Sequence, residues 1–304
     1  MKIVFFGVGS IAKKHIKILK KNNITNFLSY KSSYKSTYIK NINNIGELIS
    51  EKPNVAFITN PTAAHIYTLL EIHKLNMNIF IEKPLTHKVS DFLKFKKKYL
   101  NYNKSIYIAY NQRFNPILIY LKEKFINKYK PLNIQINCNS NLLNWRDKKN
   151  SHNYYSANKA QGGGVLYDLS HEIDYTNYLF GNKKLNTNIS IFSGKKSKTT
   201  IDSHDYAYLN FKINNCPILI SLSYFTHKEQ RSIKIEFEKF TITCDLITER
   251  IQKFINNKKV SVIKFKNTKK IMYEKQIEFF LNSLKKKKKI NNVAESEDLI
   301  KNFF

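Results

Sequence analysis

The chain has 304 residues, which predicts two domains, because a single hydrophobic core rarely grows beyond about 250–300 residues. Its formal net charge is +30, but the lysines are scattered and no RNP, zinc-finger or helix-turn-helix pattern accompanies them, so we expect no nucleic-acid partner and keep polyanion binding as an alternative. No signal peptide or membrane-length apolar stretch is evident and the three cysteines lack C-x-x-C spacing, which predicts a cytoplasmic protein without a membrane partner or metal site.

The first motif is a glycine turn directly after an apolar segment. Residues 2–6 predict a strand, Gly7 and Gly9 follow it, and Ala12 completes a G-x-G-x-x-[G/A] pattern at a helix start. In dinucleotide-binding units the glycines let a pyrophosphate approach the backbone, and the helix N-terminus faces the phosphates. A tight turn in another α/β protein is the alternative. The pattern indicates an NAD or NADP site that includes Gly7, Gly9, Ser10 and Ile11.

Short apolar segments then recur at the spacing of successive strands, with helical stretches between most of them. The predicted strands are 24–29, 55–59, 79–81 and 106–109, and the predicted helices are 63–74 and 90–99. Strands that alternate with helices favour an α/β fold with a parallel, doubly wound sheet. We assign this domain to residues 1–116.

The second predicted strand ends without an acidic residue. An NAD-specific unit usually has Asp or Glu here, which binds the adenosine ribose hydroxyls. Lys31 with Ser32 or Ser33 can instead bind a 2′-phosphate through charge and hydroxyl hydrogen bonds. The sequence therefore favours NADP, and the alternatives are a site that accepts either cofactor or NAD held through other contacts.

Two more segments follow predicted strands, where an open α/β sheet binds its ligands. Asn60 and His65 are expected to line the cofactor's ribose, with Pro61 shaping the turn; the alternative for His65 is packing against its own helix. Lys83, in Glu82-Lys83-Pro84 after the fourth predicted strand, is expected to place its ammonium beside a substrate hydroxyl. An ordinary surface lysine is the alternative.

The pattern changes to alternating apolar and polar residues after Pro116. A helix at 117–128 precedes segments at 132–139, 206–213, 218–225, 233–237, 240–247 and 260–265, and helices close the chain at 272–284 and 295–304. This period of two predicts an open, mostly antiparallel sheet with one face covered. The second domain is assigned to residues 117–304.

A glycine triplet at 162–164 leads into a predicted helix. Asp168 and His171 are three residues apart and therefore share one helix face. An imidazole is a natural base for a hydroxyl proton near neutral pH, and a neighbouring carboxylate can set its tautomer. This pattern favours a catalytic pair, with a solvated polar pair as the alternative.

Together these motifs resemble the Gfo/Idh/MocA family, the relatives of glucose-fructose oxidoreductase and inositol dehydrogenase. The motifs are Gly7-Val-Gly9-x-x-Ala12, Glu82-Lys83-Pro84, Asn111-Gln-Arg113-Phe114-x-Pro116, Gly162-Gly-Gly-x5-Ser-His171-x-x-Asp174 and Tyr273-x-x-Gln276-x-x-x-Phe280. The resemblance implies an N-terminal Rossmann domain, a nicotinamide cofactor, and a C-terminal α/β domain whose open sheet forms the contact of a dimer or tetramer.

The resemblance also implies roles for single residues. Lys83 matches the family's catalytic lysine and His171 its acid–base histidine, while Glu82 and Arg113 are counted as cofactor-binding. The family commonly has Asp-x-x-x-His, and here Asp168 lies one residue closer to His171.

The segments Trp145-Arg146-Asp147 and Tyr154-Tyr155-Ser156-Ala157 resemble a branch found among surface-polysaccharide and nonulosonic-acid gene products. An aromatic beside an arginine suits a sugar face and a phosphate or carboxylate. Trp145, Arg146 and Tyr155 are therefore expected to bind substrate together with Lys83, Asp168 and His171. A core anchor followed by a surface charge is the alternative.

The expected activity is NAD(P)-dependent hydride transfer at a secondary hydroxyl or ketone of a sugar, sugar phosphate or nucleotide sugar in surface-glycan biosynthesis. Two alternatives remain. One is a biliverdin-reductase-like enzyme with a non-sugar substrate, and the other is a non-catalytic NAD(P)-binding regulator, which would need neither Lys83 nor His171.

Overall fold

The computed structural model describes residues 1–32, 34, 37–145, 155–181 and 188–304. The chain divides into two compact units. Unit 1 comprises Met1–Ala109, Tyr273–Asn302 and Phe304, and unit 2 comprises Tyr110–Met272 and Phe303.

Unit 1 contains a six-stranded, fully parallel sheet in the order β3-β2-β1-β4-β5-β6. The strand order reverses beside β1, as in a doubly wound Rossmann-type sheet, which confirms the predicted class. The strands are β1 (Ile3–Phe6), β2 (Phe27–Tyr30), β3 (Ile39–Ile42), β4 (Val55–Ile58), β5 (Asn78–Ile81) and β6 (Ile106–Ile108). Because β3 was not predicted, the strand before Lys83 is the fifth and not the fourth.

Helices connect these strands. They are α1 (Ser10–Lys21), α2 (Ile45–Glu51), α3 (His65–Ile72) and α4 (Val89–Tyr99). The apolar face of α1 buries Ala12, Ile16 and Leu19. On the sheet the rings of Phe57 and Phe80 stack with centroids 4.4 Å apart. Both rings are fully buried, and such aromatic pairs stabilise the core beyond the area that they bury.

Unit 2 contains an eight-stranded sheet in the order β14-β13-β12-β11-β7-β10-β9-β8. Among the strands that the structure describes, only the pairing of β7 with β10 is parallel, which confirms the predicted open, mostly antiparallel sheet. The strands are β7 (Asn133–Asn141), β8 (Ser190–Gly194), β9 (Tyr206–Ile213), β10 (Cys216–Ser223), β11 (Phe225–Phe237), β12 (Phe240–Asp245), β13 (Arg250–Ile255) and β14 (Lys258–Lys264).

The α-helices that accompany this sheet include α5 (Pro116–Leu121), α6 (Val165–Asp168) and α7 (His171–Leu179). The helix predicted at 117–128 continues past α5 only as a π-helical turn over Lys122–Ile126. The single helix predicted after the glycine triplet is two helices, because Leu169 leaves helical geometry with φ −94° and ψ 20°. Asp168 ends α6 and His171 begins α7, so the two residues do not share one helix.

The chain closes with α8 (Thr268–Lys285) and α9 (Val293–Phe303). Phe280 packs against Phe80 in unit 1, with centroids 5.3 Å apart. The Asn292 side chain bonds both the N–H and the carbonyl of Ile108, at 2.8 and 3.0 Å. These long-range contacts bring residues 273–302 into unit 1, and unit 2 begins at Tyr110, in contrast to the predicted division at 116. Within the described ranges no helix has the length and apolar character needed to cross a membrane.

Candidate functional site

The glycine turn after β1 has two glycines with different reasons to be glycine. Gly7 has φ +89°, and a Cβ there would lie 2.7 Å from the backbone N and Cα of Asn60. Gly9 has φ −82°, and a Cβ there would meet no described atom within 4 Å. Gly7 is therefore required by the packing of two turns, whereas folding leaves the space beside Gly9 open.

That open space lies at the N-terminus of α1. Gly9 is the N-cap and has no side chain that could cap the helix, and the first turn has no acidic residue. Ser10 is exposed and Ile11 is half-buried. Backbone N–H groups at a helix N-terminus carry partial positive charge and bind anions. This geometry fits the pyrophosphate of a dinucleotide, with Gly7, Gly9, Ser10 and Ile11 around it.

An acidic residue from another element lies beside the end of β2, where the strand's own sequence has none. Glu71, on α3, lies 3.5 Å from the Lys31 ammonium, and its carboxylate accepts a hydrogen bond of 2.6 Å from the Tyr30 hydroxyl. The hydrogen bond with Tyr30 and the charge of Glu71 raise the pKa of Lys31. The Ser32 backbone N–H donates to Asn41 at 3.2 Å. Ser33 lies outside the described residues.

His65 is an interior residue with 1% of its surface exposed. Its Nδ1 lies 2.9 Å from the carbonyl oxygen of Pro84, and its Nε2 lies 3.0 Å from that of Asn60. Burial lowers the pKa of the ring, which favours the neutral imidazole. A neutral ring has one N–H, which donates to one of these two carbonyl oxygens. The ring lies between the two turns and has almost no surface for the ribose contact predicted for it.

The other two residues of that turn remain closer to the surface. Pro61 is exposed, and the half-buried Asn60 donates from its side-chain amide to Thr68 Oγ1 at 2.9 Å. Both follow β4, the immediate neighbour of β1. Asn60 is thus available at the edge where the glycine turn lies.

The turn after β5 contains Glu82, Lys83 and Pro84, and its Lys83–Pro84 peptide is cis. Lys83 is half-buried. Glu82 Oε1 lies 2.6 Å from Nε2 of His15, a fully buried residue of α1. The neighbouring strands β1, β4 and β5 thus bring the glycine turn, Asn60 and Lys83 to one edge of the sheet.

In unit 2, His171 begins α7 and is half-buried. Its ring meets that of Tyr110 edge-on, with centroids 5.8 Å apart. Asp168 is 5% exposed and accepts a 2.6 Å hydrogen bond from the Tyr224 hydroxyl. Burial, and then the Asp168 charge, raise the pKa of Tyr224, so the phenol remains a proton donor.

Tyr224 also contacts the tryptophan. The Trp145 ring packs edge-on against it at 5.2 Å, and the indole Nε1 donates to Ser140 Oγ at 2.8 Å. A Cβ at Gly163 would lie 2.0 Å from the Tyr155 carbonyl, so this glycine allows a backbone contact with a predicted substrate residue. Sequence reasoning missed Tyr224, because nothing near it in the chain marks a site. Arg146 lies outside the described residues.

Two arginines hold the helix that carries His171. Arg113 donates from Nε to Asp174 at 2.9 Å, and Arg231 donates from Nε to Glu172 at 2.8 Å. Both acids are buried on α7. Breaking a buried ion pair costs about 3–5 kcal/mol, because one charge then lacks a partner. Arg113, predicted to bind the cofactor, therefore makes a structural ion pair within unit 2.

The described part of the chain was also compared with the requirements of a metal site. No cluster of three or more His, Cys, Asp or Glu residues in the described part of the chain is arranged to hold a metal ion. In unit 1 the Lys83 ammonium is a group that can stabilise an alkoxide, and in unit 2 the His171 imidazole is a group that can move a hydroxyl proton.

Comparison with known proteins places this geometry in a family. An oxidoreductase family model for an NAD-binding Rossmann fold matches residues 1–110, and the model of its C-terminal alpha/beta domain matches residues 130–297. A comparison with curated proteins finds no match.

Solved structures share the fold at low identity. UDP-N-acetylglucosamine 3-dehydrogenase from Acidithiobacillus ferrooxidans has 16% identity and a TM-score of 0.74, over 98% of this chain and 94% of the other. The WlbA dehydrogenase from Bordetella pertussis, in complex with NADH and UDP-GlcNAcA, has 13% identity and a TM-score of 0.77, over 99% and 93%. Biliverdin reductase from Synechocystis has 11% identity and a TM-score of 0.78, over 99% and 96%.

The two family models together match well over half of the chain, in the order of its two sheets. The chain belongs to the Gfo/Idh/MocA family of NAD-binding oxidoreductases.

Proposed function

We propose that this dehydrogenase transfers a hydride between a nicotinamide cofactor and a secondary hydroxyl or ketone of a sugar, sugar phosphate or nucleotide sugar, in surface-glycan biosynthesis. The observation that carries the proposal is one edge of the unit 1 sheet. There the glycine turn, with open space beside Gly9, follows β1, and the Lys83 turn follows β5. The sugar class is supported by the two sugar-nucleotide dehydrogenases of the same fold.

The chain's own residues handle the proton. When bound, the nicotinamide supplies the hydride acceptor or donor. In the oxidation direction His171 accepts the hydroxyl proton as the adjacent C–H bond breaks, and the Lys83 ammonium stabilises the developing alkoxide. Asp168, hydrogen-bonded by Tyr224, binds substrate together with Trp145 and Tyr155. Arg146 keeps its predicted role as a substrate ligand.

The proposed cofactor contacts lie at the same edge. Gly7, Gly9, Ser10 and Ile11 hold the pyrophosphate at the N-terminus of α1, and Asn60 and Pro61 lie beside the ribose. His65, Glu82 and Arg113 contact other residues of the chain. These contacts favour a role in holding the turns and α7 in place, and not a direct contact with the cofactor.

A substrate screen tests the proposed activity. The purified protein, supplied with NAD or NADP, is assayed by nicotinamide absorbance against sugars, sugar phosphates and nucleotide sugars, with biliverdin in parallel. We expect turnover in the sugar group. Turnover of biliverdin alone would favour the non-sugar reductase, whose fold is also shared. Cofactor binding without turnover on any of these compounds would favour the regulator.

The cofactor preference is a separate prediction. We expect NADPH to bind more tightly than NADH, because Lys31 at the end of β2 supplies a cation for the 2′-phosphate. Fluorescence titration of the apo protein with both reduced cofactors measures it. Lys31→Ala should weaken NADPH binding more than NADH binding. Glu71→Gln should strengthen NADPH binding, because the Glu71 carboxylate competes with the 2′-phosphate for the Lys31 ammonium. NADH binding about tenfold tighter than NADPH, roughly 1.4 kcal/mol, would reverse the preference.

Assembly and location complete the proposal. By strand register Phe192, Tyr208 and Leu219 project from one face of the unit 2 sheet, and all three are exposed. Exposed apolar patches mark interaction surfaces. We assign this face to the homo-oligomer contact, and a cytoplasmic location remains a prediction.

A further inference from the structure

The Lys83 turn is held from both sides by buried histidines. On one side, His15 Nε2 of α1 lies 2.6 Å from the carboxylate of Glu82. On the other, His65 Nδ1 of α3 lies 2.9 Å from the carbonyl oxygen of Pro84. The residues immediately before and after Lys83 are therefore each bonded to an imidazole from a different helix.

The same two rings connect this turn to the proposed cofactor edge. The second ring nitrogen of His65 lies 3.0 Å from the Asn60 carbonyl oxygen, and the Asn60 backbone is the surface against which Gly7 packs. His15 belongs to α1, whose N-terminus begins at Gly9. Contacts thus run from the glycine turn through Asn60 and His65 to Pro84, and from α1 through His15 to Glu82.

Filling space does not explain these two residues. Their exposed fractions are 0% and 1%, in surroundings where a polar ring is costly unless it is hydrogen-bonded. Leucine or phenylalanine would fill such sites without that cost. Each ring instead directs a nitrogen at the segment that flanks Lys83. A displacement of about 1 Å in a catalytic group can lower the rate about 100-fold, so such anchoring matters for the chemistry.

We infer that His65, assisted by His15, is a positioning residue that sets the place of the Lys83 ammonium relative to the glycine and Asn60 turns. This inference rests on the proposed function of Lys83. In this role His65, which is 1% exposed, acts through its contacts with the Pro84 and Asn60 carbonyls.

The test compares His65→Leu with His73→Leu in the full-length protein. His73 lies just after α3 and packs edge-on against Tyr99, away from the Lys83 turn, and is the matched control. The first readout is competitive acylation of the apo protein with acetic anhydride, in which mass spectrometry compares Lys83 with the exposed Lys88. This readout needs no substrate. We expect His65→Leu to change the acylation rate of Lys83 at least about threefold relative to that of Lys88, and His73→Leu to leave this ratio unchanged.

Further readouts separate positioning from general damage. On a substrate found by the screen, His65→Leu should lower kcat about tenfold or more while KM and NADH affinity stay within about twofold. His65→Gln, whose amide can donate to one of the two carbonyls, should recover part of kcat. If His65→Leu does not fold, His65→Gln carries the acylation test instead.

The outcomes distinguish this inference from the function beneath it. Parent-like acylation of Lys83 in the folded His65 variant overturns the positioning role, whatever the activity. Altered acylation together with full turnover of Lys83→Ala instead overturns the catalytic role of Lys83. A changed Lys83 acylation rate together with a loss of NADH affinity by a similar factor would also contradict the inference. It would mean that the substitution had disrupted the whole cofactor edge and not the Lys83 turn alone.

Discussion

The Gly9→Leu variant is expected to lose nicotinamide binding while it remains folded. In the structure a Cβ at Gly9 meets no described atom within 4 Å, so the protein itself accommodates the side chain. A bound pyrophosphate would not, because it must approach the backbone at this glycine. We expect the NADH dissociation constant, measured by fluorescence titration, to rise by about 100-fold or more, which is roughly 2.7 kcal/mol.

Gly7→Leu is the contrasting variant. Its Cβ would lie 2.7 Å from the Asn60 backbone at φ +89°, so the thermal midpoint should fall. Gly9→Leu should keep a parent-like midpoint. Parent-like NADH affinity in Gly9→Leu would refute the placement of the cofactor at this turn.

The Lys83→Ala and His171→Ala variants are expected to lose turnover with little change in NADH affinity. General acid–base groups contribute about 10²–10⁴-fold to the rate, so each variant should fall by roughly two orders of magnitude or more. Steady-state kinetics on a substrate found by the screen measures this loss. Thermal midpoints check that the fold is retained.

Lys88→Ala and His73→Ala provide matched controls. Lys88 is exposed near Lys83, and His73 packs against Tyr99 in unit 1. Both controls should turn over like the parent. If the Lys83 and His171 variants did the same, the proposed mechanism would be wrong.

Local patterns in the sequence were sufficient where neighbours along the chain determine the structure. The strand predicted at 206–213 is β9 with identical bounds, because strict alternation reports a sheet with one buried face. The strand, glycine turn and helix at residues 3–21 were likewise predicted, since φ > 0 at Gly7 and the amphipathic face of α1 are local signals. The strands β3, β8 and β13 were missed, because their side chains lack the strict alternation between buried and exposed positions that β9 shows.

Tertiary structure decided what the site residues touch. Glu71 lies beside Lys31 although 40 residues separate them, and Tyr224 reaches Asp168 across 56 residues. The interior place of His65, the pairing of Arg113 with Asp174 and the break between α6 and α7 also depend on packing.

The sequence by itself therefore determined the family, the class of the two sheets and the candidate groups that lie in motifs, because these follow from local periodicity and motif order; it did not identify Glu71 or Tyr224. Only the tertiary structure decided which of those groups lie at the edge of the unit 1 sheet and which make buried contacts behind it. The physical reason is that burial and ion pairing depend on distances in space between elements that are remote in the chain.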